Sequence, residues 1–252
     1  MLKPALLAAA LALALPSAAL AAPADVATAV SAPGRAESDI ALDASRRPAE
    51  VLRFMGLQQG ARVLDFEAGS GYYTEIMARA VGPRGHVVGW NPPGFGSNPQ
   101  VRAGYEAVRQ RQSNTAFYMT PTTALSFPPN SFDFVMMHMV YHDAYWESAR
   151  FQIPRIDPAT VTRAIFDATR PGGTVAVIDH VANPGGDTRA VVEALHRIDP
   201  AVLRADFERA GFVFDGESDL LRNPADNHTV GVFDPSIRGR TDRVVYRFRK
   251  PR

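Results

Sequence analysis

The chain has 252 residues, with 27 lysines and arginines against 26 aspartates and glutamates and no cysteine. The missing thiols exclude disulfides, thiolate metal centres and a cysteine nucleophile, and the balanced charge points to no nucleic acid or other polyanion as partner. Beyond its first apolar run the chain keeps about 230 residues, enough for one α/β domain.

Read from its first residue, the sequence opens like an export signal. Lys3 precedes an apolar run over residues 5–15, Pro16 and Ser17 break it, and Ala19-Leu20-Ala21 places small residues at a cleavage site. The run is too short to span a bilayer, which takes roughly 20 residues. The pattern predicts a signal peptide over residues 1–21, no membrane span after its removal, and a periplasmic protein where the cell has a periplasm. Residues 22–42, rich in Ala, Pro, Ser and Gly, predict a flexible leader, and the folded domain is expected over 43–252.

A helix is expected to start near Pro48, with Val51, Leu52 and Met55 on one face. A strand over 62–66, a glycine loop and a helix over 72–81 follow. A second strand spans 86–90 and stops at Asn91-Pro92-Pro93-Gly94. Next come a helix over 99–112 and a strand over 116–119. The strand over 132–139 is continuous in apolar residues and so is expected to be buried on both faces, with Met136, Met137 and Met139 filling the core. Asp157-Pro158 caps a helix running to 169, and Pro171-Gly172-Gly173 turns into a strand over 174–181. A helix over 200–210 and strands over 212–221 and 243–248 close the chain. Strands alternating with helices predict an α/β fold: one Rossmann-like, seven-stranded, mostly parallel sheet with helices on both faces. Ligands of such sheets bind outside the carboxyl ends of the strands.

The chemistry is concentrated in Val63-Leu64-Asp65-Phe66-Glu67-Ala68-Gly69-Ser70-Gly71-Tyr72, which reads as strand, glycine turn and helix start. Glycines there let the backbone approach a ligand, and the helix N-terminus offers free N–H groups. Gly85-His86-Val87-Val88-Gly89-Trp90-Asn91, the segment Leu125 to Val135, and Arg170-Pro171-Gly172-Gly173-Thr174 follow in order. This set resembles the class I S-adenosylmethionine-dependent methyltransferases. Tyr141-His142-Asp143, Leu195-His196-Arg197-Ile198-Asp199, Asn223-Pro224-Ala225-Asp226 and the segment 232–243 resemble a narrower group of bacterial methyltransferases that are often exported.

The resemblance implies S-adenosylmethionine as cofactor, held by Asp65, Glu67, Ala68, Gly69, Gly71, Tyr72 and Asn91, and a small-molecule methyl acceptor. It also exposes departures. The family loop reads D-x-G-x-G-x-G, and Glu67 stands at its first glycine. The acidic residue that meets the ribose is replaced by Asn91, and the one that meets the adenine amine falls at Pro121. Two readings stay open: a variant cofactor shell built on Asp65, Glu67 and Asn91, or an exported binding protein whose cleft has lost or changed its cofactor. An enzyme of another class is a third, although no G-x-S-x-G motif supports it.

Tyr141, His142 and Asp143 follow the fourth strand, where the acceptor sits in this fold. A histidine there can take a proton while a carboxylate orients it. His138, inside the apolar strand, reads as a buried, hydrogen-bonded core residue, whereas Asp179-His180 ends the fifth strand on the ligand side. No histidine spacing of a metal motif occurs, and no protein-bound metal is expected. The long connection 223–243 reads as a lid over the strand ends, with Asp226, His228, Asp234 and Arg238 as its candidate residues.

Overall fold

The computed structural model describes residues 21–252; the expected signal peptide, its apolar run included, lies outside them save for Ala21. Among the described residues no helix is long and apolar enough to cross a membrane. Helices α1 (Val26–Ser31), α2 (Glu37–Ile40), α3 (Asp43–Arg46) and α4 (Pro48–Met55) precede strand β1 (Arg62–Phe66). Helix α5 (Tyr72–Val81), β2 (His86–Asn91), α6 (Pro93–Gly96), α7 (Pro99–Arg111) and β3 (Thr115–Met119) follow. Then come β4 (Phe132–His138), α8 (Pro158–Ala168), β5 (Thr169–His180), α9 (Thr188–Leu195), α10 (Pro200–Ala210), β6 (Val213–Glu217) and β7 (Arg243–Arg249).

The seven strands form one sheet in the order β3-β2-β1-β4-β5-β7-β6. β1 to β5 run parallel, and β7 enters antiparallel between β5 and β6. β4 lies at the centre with Phe134, Val135, Met136 and Met137 almost fully buried, as its unbroken apolar run requires. One face of the sheet packs on α1, α4 and α5 through Val51, Leu52, Ile76 and Met136. The other packs on α8 and α10 through Leu64, Val135, Ile165 and Phe207. The carboxyl ends of β1, β4 and β5 therefore open on one rim.

Four features differ from the sequence reading. Residues 22–42 are not a loose leader. Asp25 caps α1, Val26 and Ala29 on its inner face are buried in the core, and Arg35 grips Asp43 through two hydrogen bonds of 2.6 and 2.8 Å. Composition pointed to flexibility, but two apolar residues one helical turn apart are enough to dock so short a helix. β5 begins at Thr169, because Thr169 already pairs with Phe132 of β4; the Pro-Gly-Gly segment bulges out of that ladder, with Gly172 and Gly173 bonded to the Lys250 backbone. β6 stops at Glu217, four residues early, after a shift between Phe214 and Gly216. Helices α3, α6 and α9 were not expected from the sequence.

The connection 218–242 does fold over the strand ends, pinned by a buried ion pair. Arg197, fully buried, donates to both Asp226 carboxylate oxygens at 2.9 and 3.1 Å. Asp226 also accepts from the amides of Asp242 and His228. Asp234 accepts from Ser236 in a local turn, and the Arg238 amide closes that turn on the Asp234 carbonyl. The charged residues expected to serve the site thus hold the lid's own shape, and the residues it offers to the cavity are Val232 and Phe233. Removing one partner of such a pair strands a buried charge. Asp226→Ala is expected to lower stability by about 3–5 kcal/mol, read from urea unfolding midpoints at unchanged slope.

Candidate functional site

At the common rim of β1, β4 and β5 lies a cavity of about 580 Å³, within the range of small-molecule sites. Asp65, Glu67, Ala68, Gly69 and Ser70 line it from the loop after β1, and Tyr72 and Tyr73 from the start of α5. His138, His142, Asp143 and His180 line it from the ends of β4 and β5. Asp39, Leu42 and Arg46 come from the N-terminal helices, and Phe95, Trp146, Phe151, His196 and Phe233 close it.

The loop is held from below. The Asn91 side chain, almost fully buried, accepts from the Gly69 amide at 3.1 Å and donates to the Gly69 carbonyl at 3.0 Å. The Ala68 amide donates to Trp90 O, and the Gly71 amide to Ala68 O. Gly69 itself has φ +56°, and a Cβ built on it would meet nothing within 4 Å, so its outer side faces open cavity. Gly71, at φ +99°, is different. A Cβ there would press on Val108 and Phe117 at 3.1 and 3.3 Å. Asp65 is buried and accepts from Thr74 Oγ1 at 2.6 Å, and burial lifts its carboxyl to about 7. Glu67 takes φ +54°, a left-handed conformation strained for any residue with a Cβ. Burial, then the nearby Asp143 carboxylate, raise its carboxyl well above the ordinary range.

Opposite the loop, a short 3-10 turn over Tyr141–Tyr145 carries His142 and Asp143. Asp179, fully buried at the end of β5, accepts from His142 Nδ1 at 2.7 Å and from the His142 amide at 2.9 Å. His142 Nε2 lies 3.4 Å from Asp143 Oδ1, and His196 Nδ1 lies 3.8 Å from the same oxygen. Burial disfavours the His142 imidazolium, yet Asp179 and Asp143 outweigh it and hold the ring's pKa up at about 9. His180 is the reverse: burial drops it to about 3, and its Nδ1 pairs with Thr241 Oγ1 at 2.7 Å.

Of the residues expected at the site, Asp65, Glu67, Ala68, Gly69, Tyr72, His142 and Asp143 line the cavity. Three take other places. Tyr141 is fully buried with its hydroxyl donating to Asp206 at 2.7 Å, so it anchors the 3-10 turn to α10. Asn91 engages the loop rather than the cavity, and Gly71 permits α5 to pack closely on α7 and β3. His138 is not the satisfied core residue expected. Its Nε2 has no hydrogen-bond partner, nor has the hydroxyl of Tyr73, whose ring centroid lies 4.7 Å from its own. Both belong to the cavity wall, where a ligand's polar atoms can meet them. The sequence reading missed Arg46, the only arginine or lysine lining the cavity among the described residues. It also missed the aromatic wall of Phe95, Trp146, Phe151 and Phe233, which comes from three separate segments with no shared motif.

Comparison with known proteins agrees with this layout. A family model described as Methyltransferase domain matches residues 64–177, and one described as Protein-L-isoaspartate(D-aspartate) O-methyltransferase matches residues 30–92. The demethylmenaquinone methyltransferase of Listeria welshimeri is 30% identical over 131 residues, 52% of this chain and 49% of that protein. That of Geobacillus stearothermophilus is 30% identical over the same length, 52% of this chain and 50% of that protein. The chain thus spans about half the length of the curated relatives it matches. Among solved structures, an S-adenosylmethionine-dependent methyltransferase from Aquifex aeolicus superposes with a TM-score of 0.57 at 18% identity, over 84% of this chain and 93% of that one. The [4+2]-cyclase SpnF superposes with a TM-score of 0.58 at 20% identity, over 82% of each chain. The strand order is that of the fold of the class I S-adenosylmethionine-dependent methyltransferase superfamily, and residues 64–177 match a methyltransferase-domain model.

That superfamily's cofactor carries an amino-acid tail with both charges and a sulfonium. The cavity fits such a molecule: Gly69 faces open space, Arg46 is available to a carboxylate, and Asp39, Asp65 and Glu67 are available to cationic groups. Glu67 is also a stability liability. Glu67→Gly is expected to relieve the left-handed strain and raise stability by about 1 kcal/mol net of glycine's entropy, or about 2–4 °C in thermal midpoint. Because its carboxyl pKa is raised in the folded state, ionisation of Glu67 disfavours folding. The gain should therefore be larger at pH 8 than at pH 5, as thermal melts at the two pH values will show.

Proposed function

We propose that this chain transfers a methyl group from S-adenosylmethionine to a flat, largely apolar small molecule. The observation that carries the reading is the cavity itself: a glycine cradle and an acidic wall on one side, an aromatic wall on the other, and a buried His–Asp pair between them. Asp65, Glu67 and the cradle at Gly69 would hold the aminoacyl end of the cofactor, with Arg46 pairing its carboxylate. When bound, the cofactor supplies an electrophilic methyl group on a sulfonium.

The protein's own part is alignment, exclusion of water and control of one proton. Phe95, Trp146, Phe151 and Phe233 offer planar faces to a ring. Asp179 fixes the His142 ring through Nδ1, so Nε2 is left towards Asp143 and the cavity. An acceptor O–H or N–H placed there is oriented for in-line attack, and proximity of this kind supplies much of such a rate enhancement. The curated relatives are named as demethylmenaquinone methyltransferases, and a flat ring system suits the aromatic wall. Export is a separate proposal. It rests on the N-terminal pattern of Lys3, the apolar run and Ala19-Leu20-Ala21, and is tested by locating the processed protein in cell fractions.

Calorimetric titration with S-adenosylmethionine and S-adenosylhomocysteine tests the reading. Saturable heat is expected from both; no heat and no thermal shift at millimolar ligand would overturn it. Arg46→Ala should weaken both ligands at least tenfold. Gly69→Val should abolish binding, since a branched side chain enters the cradle from a backbone it cannot comfortably adopt. If either variant binds like the parent, the site lies elsewhere.

A further inference from the structure

Among the described residues the buried acids are met in different ways, Asp65 by a hydrogen bond from Thr74 Oγ1 alone. Asp226 is paired by Arg197, Asp242 by Arg222, Glu75 by Arg79 and Arg111, and Asp206 by Arg209. Asp143 and Asp179 have histidines instead, and no arginine or lysine pairs with either among the described residues. Glu67 adds a third carboxyl close enough to raise the charge problem. Arg46 lines the same cavity but pairs with neither Asp143 nor Asp179, so this acidic corner is suited to receive a cation.

The donor set says which kind. His142, Asp143 and His196 each offer one ligand atom, and the three atoms lie within 4.8 Å of one another. Two separations are already 3.4 and 3.8 Å. Bonds of about 2.0–2.1 Å in a tetrahedron set their ligand atoms roughly 3.3–3.5 Å apart, so modest closure of His196 completes the triangle. Imidazole nitrogens have little to offer an ammonium or sulfonium ion, but they bind borderline divalent metals well. The supporting contact is present too. His142 gives its other ring nitrogen to the fully buried Asp179 at 2.7 Å, the arrangement that fixes the tautomer and direction of a metal-bound histidine. His196 is held in a left-handed conformation at the C-cap of α9, which aims its ring across to the 3-10 turn after β4.

We propose that His142, Asp143 and His196 form a site for a divalent cation of the zinc type, with a fourth coordination position open to the cavity. Three protein ligands and one open position are the pattern of metals that act on a bound water or substrate oxygen. The sequence spacing hides the site because one ligand pair follows β4 and the third residue ends α9, 53 positions later by residue number (196 less 143). The proposal goes beyond methyl transfer and stands without it.

The test uses chelator-treated protein with Zn²⁺ and Co²⁺ as probes, in the absence of S-adenosylmethionine. One equivalent of Zn²⁺ should bind with micromolar or tighter affinity, and Co²⁺ should give the intense visible bands of a four-coordinate ion. His196→Ala and Asp143→Asn should each weaken uptake at least tenfold without changing the far-ultraviolet circular dichroism of the metal-free protein. Asp179→Asn should weaken it about 10–100-fold. Absence of stoichiometric uptake overturns the site. So does uptake that is the same in His196→Ala and Asp143→Asn as in the parent, because the ion would then be held by other histidines. A protein that binds S-adenosylhomocysteine but no metal would remove this proposal and leave the methyltransferase reading in place.

Discussion

One buried carboxylate organises the rim of the sheet. Asp179 has no exposed surface and accepts three hydrogen bonds: from His142 Nδ1, from the His142 amide, and from the His180 amide at 2.8 Å. Burial disfavours the His142 imidazolium, but the carboxyls of Asp179 and Asp143 beside it hold the ring's pKa up at about 9. Because Asp179 lies on β5, between β4 and β7, the ring of His142 is aimed by the sheet and not by a loop. That is the rigidity a reactive or ligand-binding constellation needs.

The same site shows where the molecule accepts instability for function. Glu67 is strained in its backbone and disfavoured in its ionised form, and His138 and Tyr73 leave polar atoms unmatched. Elsewhere the protein solves such problems with arginine: Arg197 neutralises Asp226 in the lid, and Arg222 neutralises Asp242 beside it. Among the described residues one buried polar atom, the Tyr105 hydroxyl on α7, is unmatched outside this cavity; the gathering of Glu67, His138 and Tyr73 at one place is what is expected of a site shaped for a ligand.

How much of this was legible in the sequence depends on the range of the interaction. The strands, the glycine loop and the order of helices follow from local periodicity and turn residues, so β1, β2, β4 and α10 fall where the pattern puts them. His142 and Asp143 could be nominated because fold class alone says that the segment after β4 faces the ligand. Tyr141 could not be separated from them: alternation within a single 3-10 turn sends its hydroxyl to Asp206, 65 residues away. The N-terminal helices misled for the opposite reason. Their composition is that of a linker, and only the fit of Val26 and Ala29 into the core decides otherwise. Arg46, His196 and the aromatic wall are products of tertiary packing and leave no trace in spacing.

The departures from the family loop become intelligible together. A family aspartate at the end of β2 could accept the Gly69 amide, but it has no proton for the Gly69 carbonyl. Asparagine satisfies both, at 3.1 and 3.0 Å. With Glu67 in place of the first glycine, the loop carries a strained residue at φ +54° directly before the cradle, and a two-point clamp on Gly69 holds the cradle's shape against that strain. Asn91 is then a structural answer to Glu67 and not simply a weakened ribose ligand. On this view the two replacements should be energetically coupled. Asn91→Asp should be better tolerated in the Glu67→Gly background than in the parent chain, because that change removes both the strain and a carboxyl already facing Asp143. A double-mutant cycle in thermal stability measures that coupling directly, and additive effects would show that the two positions changed independently.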